Sequence, residues 1–163
     1  MTKYNYQYTE NDYKTPPELY TRALKYFDKN NFSLDACCSD KHIPAHKHYM
    51  LPDNNGLIEE WRNYTWCNPP FDNAKAWVKK AYEENLKGKI IAMLLPVRTE
   101  TDYWKKYILN NPSCTVDFLR KGYKFINNKG EEMGVFKNAL ALVYFENNFT
   151  DSEEWEFGCF ILK

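Results

Sequence analysis

The chain reads Tyr64-Thr65-Trp66-Cys67-Asn68-Pro69-Pro70-Phe71 near its middle, and this stretch decides the fold. Its first half is rich in aromatic and β-branched residues, which predicts a short strand. Two adjacent prolines fit neither a central strand nor a helix interior, so they predict a turn between this strand and a following helix. In that turn the prolines present carbonyl oxygens without N–H groups.

Helices are predicted on both sides of this turn. The first extends from residue 16 to about residue 28, with Thr15 as its N-cap and Glu18 closing a capping box. The second follows Asp72, which we expect to cap it. It buries a stripe of apolar side chains at helical spacing, and its other face carries charged residues, Glu84 among them. A third helix is expected to begin at Thr99 or Thr101.

The most apolar run, residues 90–95, predicts a central strand that is buried on both faces. Further strands are expected over residues 32–36, 114–118, 139–145 and 157–162. Strands that alternate with helices and end in a strand-rich tail predict a compact α/β domain. Its central sheet is expected to be mainly parallel, with antiparallel C-terminal strands. We expect residues 1–12 to form a flexible N-terminal segment and residues 13–163 to form the one folded domain.

The overall composition excludes several classes of protein. Lysine and arginine total 22 and aspartate and glutamate total 22, so the chain lacks the basic excess of a strong non-specific nucleic-acid binder. Its five cysteines are irregularly spaced and do not predict a disulfide framework. No apolar run approaches the ~20 residues that span a membrane. We therefore expect a cytoplasmic protein that makes no membrane contact.

The polar groups in the turn are suited to binding an exocyclic amino group on a planar ring. The side-chain oxygen of Asn68 and the carbonyl oxygen of Pro69 can accept both N–H groups of such an amine, and Phe71 can stack on the ring. This set, together with Pro70, predicts methyl transfer to adenine. A purely structural role, in which the prolines end a strand and the aromatic ring packs in the core, is the alternative.

A donor site is expected where the first strand ends. Asp35 stands at that position and is followed by Ala36 and Cys37, whose small side chains allow a nucleoside to approach the backbone. Strand ends in a parallel sheet share one edge, so we expect this carboxylate to face the same crevice as the Asn68 amide. Asp53 is a second acidic candidate. Both aspartates are also ordinary turn formers.

Basic residues form two candidate contacts to nucleic acid. Arg98 and Thr99 follow the central strand, at another strand end that faces the crevice. Arg120, Lys121 and Lys124 lie around an expected hairpin with aromatic residues between them. A solvated surface would have a similar composition.

A cluster of cysteine and histidine residues invites a metal interpretation. The residues concerned are Cys37, Cys38, His42, His46 and His48. Because the cluster has no Cys-x-x-Cys pair, and adjacent cysteines seldom share one tetrahedral zinc ion, we expect no metal.

Several short motifs occur together in a fixed order. They are Thr15-Pro16-Pro17-Glu18, Leu34-Asp35-Ala36-Cys37, Asp53 to Leu57 with Trp61, Trp66 to Phe71, and Leu94-Leu95-Pro96-Val97-Arg98-Thr99. Over residues 15–145 the chain resembles the phage-type DNA N-6-adenine methyltransferase family. In that family a tyrosine more usually stands where this chain has Phe71.

The resemblance implies a compact Rossmann-like methyltransferase fold with S-adenosylmethionine as the methyl donor. It would place Thr15 and Pro16 near the methionine end of the donor, residues 35–37 along the donor site, and residues 68–71 around the target base. It further implies DNA as the partner and a bacterial or phage-infected cell as the setting, in restriction–modification or another role. Since no target-recognition domain is evident, we expect specificity to reside in short loops or in a homo-oligomer.

Two other functions stay open at this point. The acceptor can instead be an RNA adenine or a protein glutamine amide, because each presents a similar planar amino group. The chain can also be a non-catalytic nucleic-acid-binding relic of the fold. This alternative is supported by the absence of any glycine between Met1 and Gly56, because a nucleotide-binding turn usually has several glycines.

Overall fold

The computed structural model describes residues 14–51, 53–120, 122–127 and 129–146, and the backbone of residues 160–161. The expected flexible segment, residues 1–12, lies outside the described residues, as does residue 13. The helices are α1 (Pro17–Tyr26), α2 (Ala74–Asn85) and α3 (Asp102–Trp104), which continues as a π-helical turn (Lys105–Leu109). The strands are β1 (Leu34–Asp35), β2 (Thr65–Cys67), β3 (Ile91–Pro96), β4 (Cys114–Phe118), β5 (Lys124–Ile126), β6 (Glu132–Val135), β7 (Leu140–Phe145) and β8 (Phe160–Ile161).

Six strands form one mixed sheet in the order β1-β2-β3-β7-β4-β8. β1, β2 and β3 pair in parallel, so their carboxyl ends lie at one edge of the sheet. β7 is antiparallel to both of its neighbours, β3 and β4, and β8 is parallel to β4. The predicted mainly parallel sheet is therefore confirmed. Of the C-terminal strands that were expected to be antiparallel, only β7 runs opposite to β1–β3 among the strands described; β4 and β8 run in the same direction as β1–β3.

The register brings the ends of the first two strands together. Asp35 pairs with Trp66, two positions before Asn68. Along the other side of β1, Asp35 also forms an isolated parallel bridge with His48. β1 is therefore fixed from both sides, which places its last residues beside the start of the turn.

The core lies on both faces of the sheet. On one face Met93 and Leu95 pack with α2 and α3 side chains such as Trp77 and Trp104. On the other face the alternate residues of β3 pack against α1. All six residues of β3 are buried, which confirms the central strand predicted from the apolar run. Within the described residues no helix has the length and apolar character required to cross a membrane.

The starts of the first two helices differ from the prediction. α1 begins at Pro17, and Pro16 is its N-cap residue without a side-chain hydrogen bond, so Thr15 does not cap it. α2 begins at Ala74 after a 3-10 turn (Phe71–Asn73), and no side chain caps it. The carbonyl of Pro70 accepts the N–H of Asn73 at 3.0 Å, and this bond closes the 3-10 turn before the α-helix begins.

One charged residue of α2 is in a different environment from the one expected. Glu84 was expected on the solvent face, but it is fully buried. Its carboxylate accepts hydrogen bonds from Lys80 and Lys87 at 2.7 and 2.8 Å and from the backbone N–H of Trp61 at 3.2 Å. These three donors offset the desolvation of the carboxylate.

A hairpin formed by β5 and β6 packs beside the turn that follows β2. It is antiparallel, as predicted. The N–H of Lys14 donates to the carbonyl of Ile126 at 2.7 Å and joins the hairpin to the segment that precedes α1. Phe125 is buried in the core on the α1 face.

Candidate active site

The Asn-Pro-Pro-Phe turn leaves β2 at the edge of the sheet where the parallel strands end. The side chain of Asn68 is half-buried, and its Nδ2 donates to the Oγ1 of Thr15 at 3.0 Å. Thr15 is 2% exposed. Because the amide nitrogen is directed at Thr15, the amide oxygen points away from that hydroxyl.

The remaining residues of the turn are held by packing. Pro69 is buried, whereas Pro70 and Phe71 are half-buried. The ring of Phe71 makes an edge-to-face contact with Phe136, with centroids 5.6 Å apart and an interplanar angle of 69°. Phe136 contacts Phe125 in the same manner at 5.6 Å. The predicted stacking residue is thus part of an aromatic cluster that reaches the hairpin.

A cleft of about 410 Å³, partly open to solvent, lies next to the turn. Three of the predicted site residues line it, namely Ala36, Cys37 and Pro70. The side chains of Asp35 and Asn68 are outside this lining. The remaining lining residues are Cys38, Tyr49, Leu51, Asn54, Asn55, Gly56, Leu57, Asn73 and Trp77.

The loop after β1 has no glycine of its own, and Gly56, in a later segment, allows a close contact with its backbone. A Cβ atom on Gly56 would lie 2.0 Å from the carbonyl oxygen of Ala36 and 2.9 Å from the ring of Trp77. The indole N–H of Trp61 donates to the carbonyl of Gly56 at 2.6 Å and holds the loop in place. The glycine is therefore supplied by a later segment, and the Asn54-Asn55-Gly56 turn was the sequence signal for it.

Asp35 is 2% exposed. Burial raises the pKa of its carboxyl to about 7; a hydrogen bond from the N–H of Cys37 lowers it, and the nearby charge of Asp40 raises it further. That hydrogen bond to Oδ1 is long, at 3.4 Å. The first acidic candidate is therefore buried, and its neighbours in sequence, Ala36 and Cys37, line the cleft.

The other residues predicted for the donor site lie outside the lining of the cleft. Asp53 is exposed, while its neighbours Asn54 and Asn55 line the cleft. Thr15 and Pro16 are both buried. Sequence reasoning missed the two asparagines because amide side chains in a turn are also typical of ordinary loops.

The predicted basic contacts are exposed. Arg98 and Thr99 follow β3 at the edge that carries the turn, and Arg98 lies 3.8 Å from the carboxylate of Glu100. Arg120 is exposed, and Lys124 forms an ion pair with Glu132 at 3.1 Å. Lys121 lies outside the described residues.

The histidine-rich segment forms an ion-pair cluster. Lys14 contacts the carboxylate of Asp40 at 2.7 Å, and His42 contacts the other oxygen of that carboxylate. Burial acts to raise the pKa of Asp40, but the hydrogen bonds from Lys14 and His42 outweigh it and lower the pKa to about 2. In the described part of the chain, no group of three or more histidine, cysteine or acidic residues is arranged to hold a metal ion.

The sequence is similar to those of phage proteins. A DNA N-6-adenine-methyltransferase of Haemophilus phage HP1 (strain HP1c1) is 33% identical over 150 residues, covering 90% of this chain and 85% of the phage protein. A DNA N-6-adenine-methyltransferase of Escherichia phage T1 is 28% identical over 95 residues, covering 56% of this chain and 38% of that protein. No solved structure matches.

The family model described as DNA N-6-adenine-methyltransferase (Dam) matches residues 4–157. This match spans nearly the whole chain and confirms the resemblance found in the ordered motifs. The chain belongs to the DNA N-6-adenine-methyltransferase (Dam) family and is a DNA adenine methyltransferase.

Proposed function

We propose that this chain transfers a methyl group from S-adenosylmethionine to the N6 amino group of an adenine that is flipped out of DNA. The observation that carries the proposal is the position of Pro70, which belongs both to the Asn-Pro-Pro-Phe turn and to the wall of the cleft. A donor in the cleft and a base held by the turn would therefore be neighbours.

The lining of the cleft offers the chemistry that a nucleoside donor requires. Tyr49 and Trp77 offer aromatic surface, and the amides of Asn54 and Asn55 offer polar contacts. Gly56 lets the two halves of the cleft wall pack tightly, because a Cβ atom there would lie 2.0 Å from the carbonyl oxygen of Ala36. S-adenosylmethionine supplies an electrophilic methyl group when it is bound.

The turn would prepare the adenine amino group for attack. Its lone pair is delocalised into the ring, so the amine is a poor nucleophile. The side-chain oxygen of Asn68 and the carbonyl of Pro69 would accept its two N–H groups, favour a pyramidal nitrogen and stabilise the positive charge that develops there. Phe71 would support the flipped base, and aromatic stacking of about 1–3 kcal/mol would offset the cost of flipping.

We further infer a reduced Rossmann-like methyltransferase fold. Parallel strands that end beside the cleft, and the antiparallel β7 between β3 and β4, support this assignment. The segment between β1 and β2 is irregular and contributes isolated bridges at Ala45 and His48 beside the first strand. This short segment would take the place of further strands in the donor-binding half.

DNA would lie along the edge that carries the turn. Arg98, Thr99, Arg120, Lys121 and Lys124 are proposed to contact it, with phosphates as the first targets of the cations. Sequence specificity would then come from these short loops or from a homo-oligomer.

The test is incubation of duplex DNA with labelled S-adenosylmethionine, followed by nucleoside analysis. Wild type should yield N6-methyladenine, and Asn68→Ala should lower the rate about 10²–10³-fold because one preorganised acceptor is lost. Asn30→Ala, which changes an exposed asparagine far from the turn in sequence, is the matched control. Equal incorporation by wild type and Asn68→Ala would remove Asn68 from this role.

The same assay addresses the alternative functions. If the label is found in RNA or in protein glutamine and not in DNA, the acceptor differs from the one proposed, but the methyl-transfer chemistry is the same. Calorimetry that detects no binding of S-adenosylmethionine or of its demethylated product would indicate a non-catalytic nucleic-acid-binding module.

A further inference from the structure

The hydrogen bond between Thr15 and Asn68 joins two segments that are 53 residues apart in the sequence. Thr15 is held on both sides. Its neighbour Lys14 is joined to Ile126 by a backbone hydrogen bond of 2.7 Å and to Asp40 by an ion pair of 2.7 Å. On the other side Pro16 is the N-cap residue of α1. The hydroxyl group is therefore presented to the turn from a fixed backbone.

The orientation of the Asn68 amide decides what the turn can bind. One end of an amide accepts hydrogen bonds and the other end donates them. The amino group of adenine offers two N–H donors in the plane of the ring, so it needs the oxygen end. If the amide were rotated by 180°, its NH₂ group would face the adenine amino group, which is also a donor, and that contact would be lost.

We propose that Thr15 is a positioning residue that holds the side chain of Asn68 where its amide oxygen reaches the target amino group. The inference rests on the proposed methyl transfer and assigns Thr15 a part in it. It differs from a helix-capping role, which the start of α1 excludes, and from a direct contact with the methyl donor. A donor contact would change donor affinity, whereas a positioning role would change the rate of the chemical step.

The experiment compares Thr15→Val, which keeps the shape of the side chain but has no hydroxyl, with Thr15→Ser, which keeps the hydroxyl. For Thr15→Val we expect kcat to fall about 10- to 100-fold while the Kd for S-adenosylmethionine, measured by calorimetry, stays within about twofold of wild type. Thr15→Ser should recover most of the lost rate. Thr21→Val, on the exposed face of α1, is the control for the same substitution elsewhere.

A double-mutant cycle with Asn68→Ala separates positioning from a general structural effect. Without the amide, Thr15 has no side chain to hold. Thr15→Val should therefore lower kcat much less in the Asn68→Ala background than in wild type. An equal loss of kcat in both backgrounds, or weaker donor binding with an unchanged kcat, would overturn the inference.

A direct readout keeps the inference separate from the proposed function. The side-chain NH₂ resonances of Asn68 should be protected from hydrogen exchange in wild type and Thr15→Ser, and this protection should be lost in Thr15→Val. Unprotected resonances in the wild-type protein would overturn the positioning role on their own. A wild-type protein that shows this protection and binds the donor, but forms no N6-methyladenine, would instead overturn the proposed function.

Discussion

Replacing Gly56 by alanine tests whether the cleft wall depends on the close contact between Gly56 and the backbone of Ala36, which leaves no room for a side chain. The new Cβ atom would lie 2.0 Å from the carbonyl oxygen of Ala36, whereas ordinary contact begins at 3.4 Å. Ala36 cannot retreat freely, because its N–H donates to the carbonyl of Trp66 in β2 at 2.9 Å. The loop that carries Gly56 must therefore move outward by more than about 1 Å.

Overpacking of this kind costs about 1–3 kcal/mol. For a chain of this size each kcal/mol lowers the Tm by about 2–4 °C, so we expect a Tm about 2–12 °C below that of wild type. Since Gly56 and Ala36 both line the cleft, the affinity for S-adenosylmethionine should also fall. Differential scanning fluorimetry and calorimetry measure the two effects.

The control is Gly134→Ala in β6. A Cβ atom on Gly134 would meet nothing within 4 Å, so this variant should be neutral or slightly more stable than wild type. If the Tm of Gly56→Ala lies within about 1 °C of that of Gly134→Ala, the close approach does not constrain the loop and the reasoning is refuted.

Two further predictions concern charged groups. Burial raises the pKa of the Asp35 carboxyl to about 7, from an ordinary value of 3.8 in the unfolded chain. Between these two pH values the folded protein keeps a proton that the unfolded chain has released. The stability that the protonated carboxyl contributes is complete below pH 3.8 and is lost as the pH rises through about 7. Asp35→Asn should therefore gain Tm relative to wild type between about pH 5 and about pH 8, and a constant difference would contradict the assignment. Arg22→Met removes two hydrogen bonds of 2.6 and 2.8 Å to the buried carboxylate of Asp117 and should lower the free energy of unfolding by about 1.5–3 kcal/mol in urea titrations. Lys79→Met, which breaks an exposed pair within α2, should cost less than about 0.5 kcal/mol, and equal losses would show that the burial of Asp117 has no effect.

Local patterns in the sequence were sufficient for much of the fold. The apolar run of β3 can bury its side chains on both faces only if other elements cover each face of the sheet, and all six residues are buried. The paired prolines after β2 exclude both a strand and a helix interior, so the turn could be located to the residue. β4 has the bounds that were expected, residues 114–118.

Contacts between distant segments account for the errors. Thr15 has the residue type and the position expected of an N-cap, but its hydroxyl accepts a hydrogen bond from Asn68. No local pattern predicts that contact. Glu84 was assigned to the surface because of its charge, yet three donors compensate its burial: Lys80 in α2, Lys87 after it and the backbone N–H of Trp61 before it. In both cases a tertiary hydrogen bond outweighs a local propensity that is worth only about 1 kcal/mol.

The small residues in the wall of the cleft come from two places, Ala36 just after β1 and Gly56 in a later loop. A search for one contiguous glycine-rich signature would pass over any protein built this way. Chains that share the architecture are better recognised by a pattern in two parts. The first part is a small residue after the first strand, and the second, after a segment of variable length, is an asparagine-rich turn that ends in glycine. Evolution can then lengthen or shorten the intervening segment without disturbing either half of the wall.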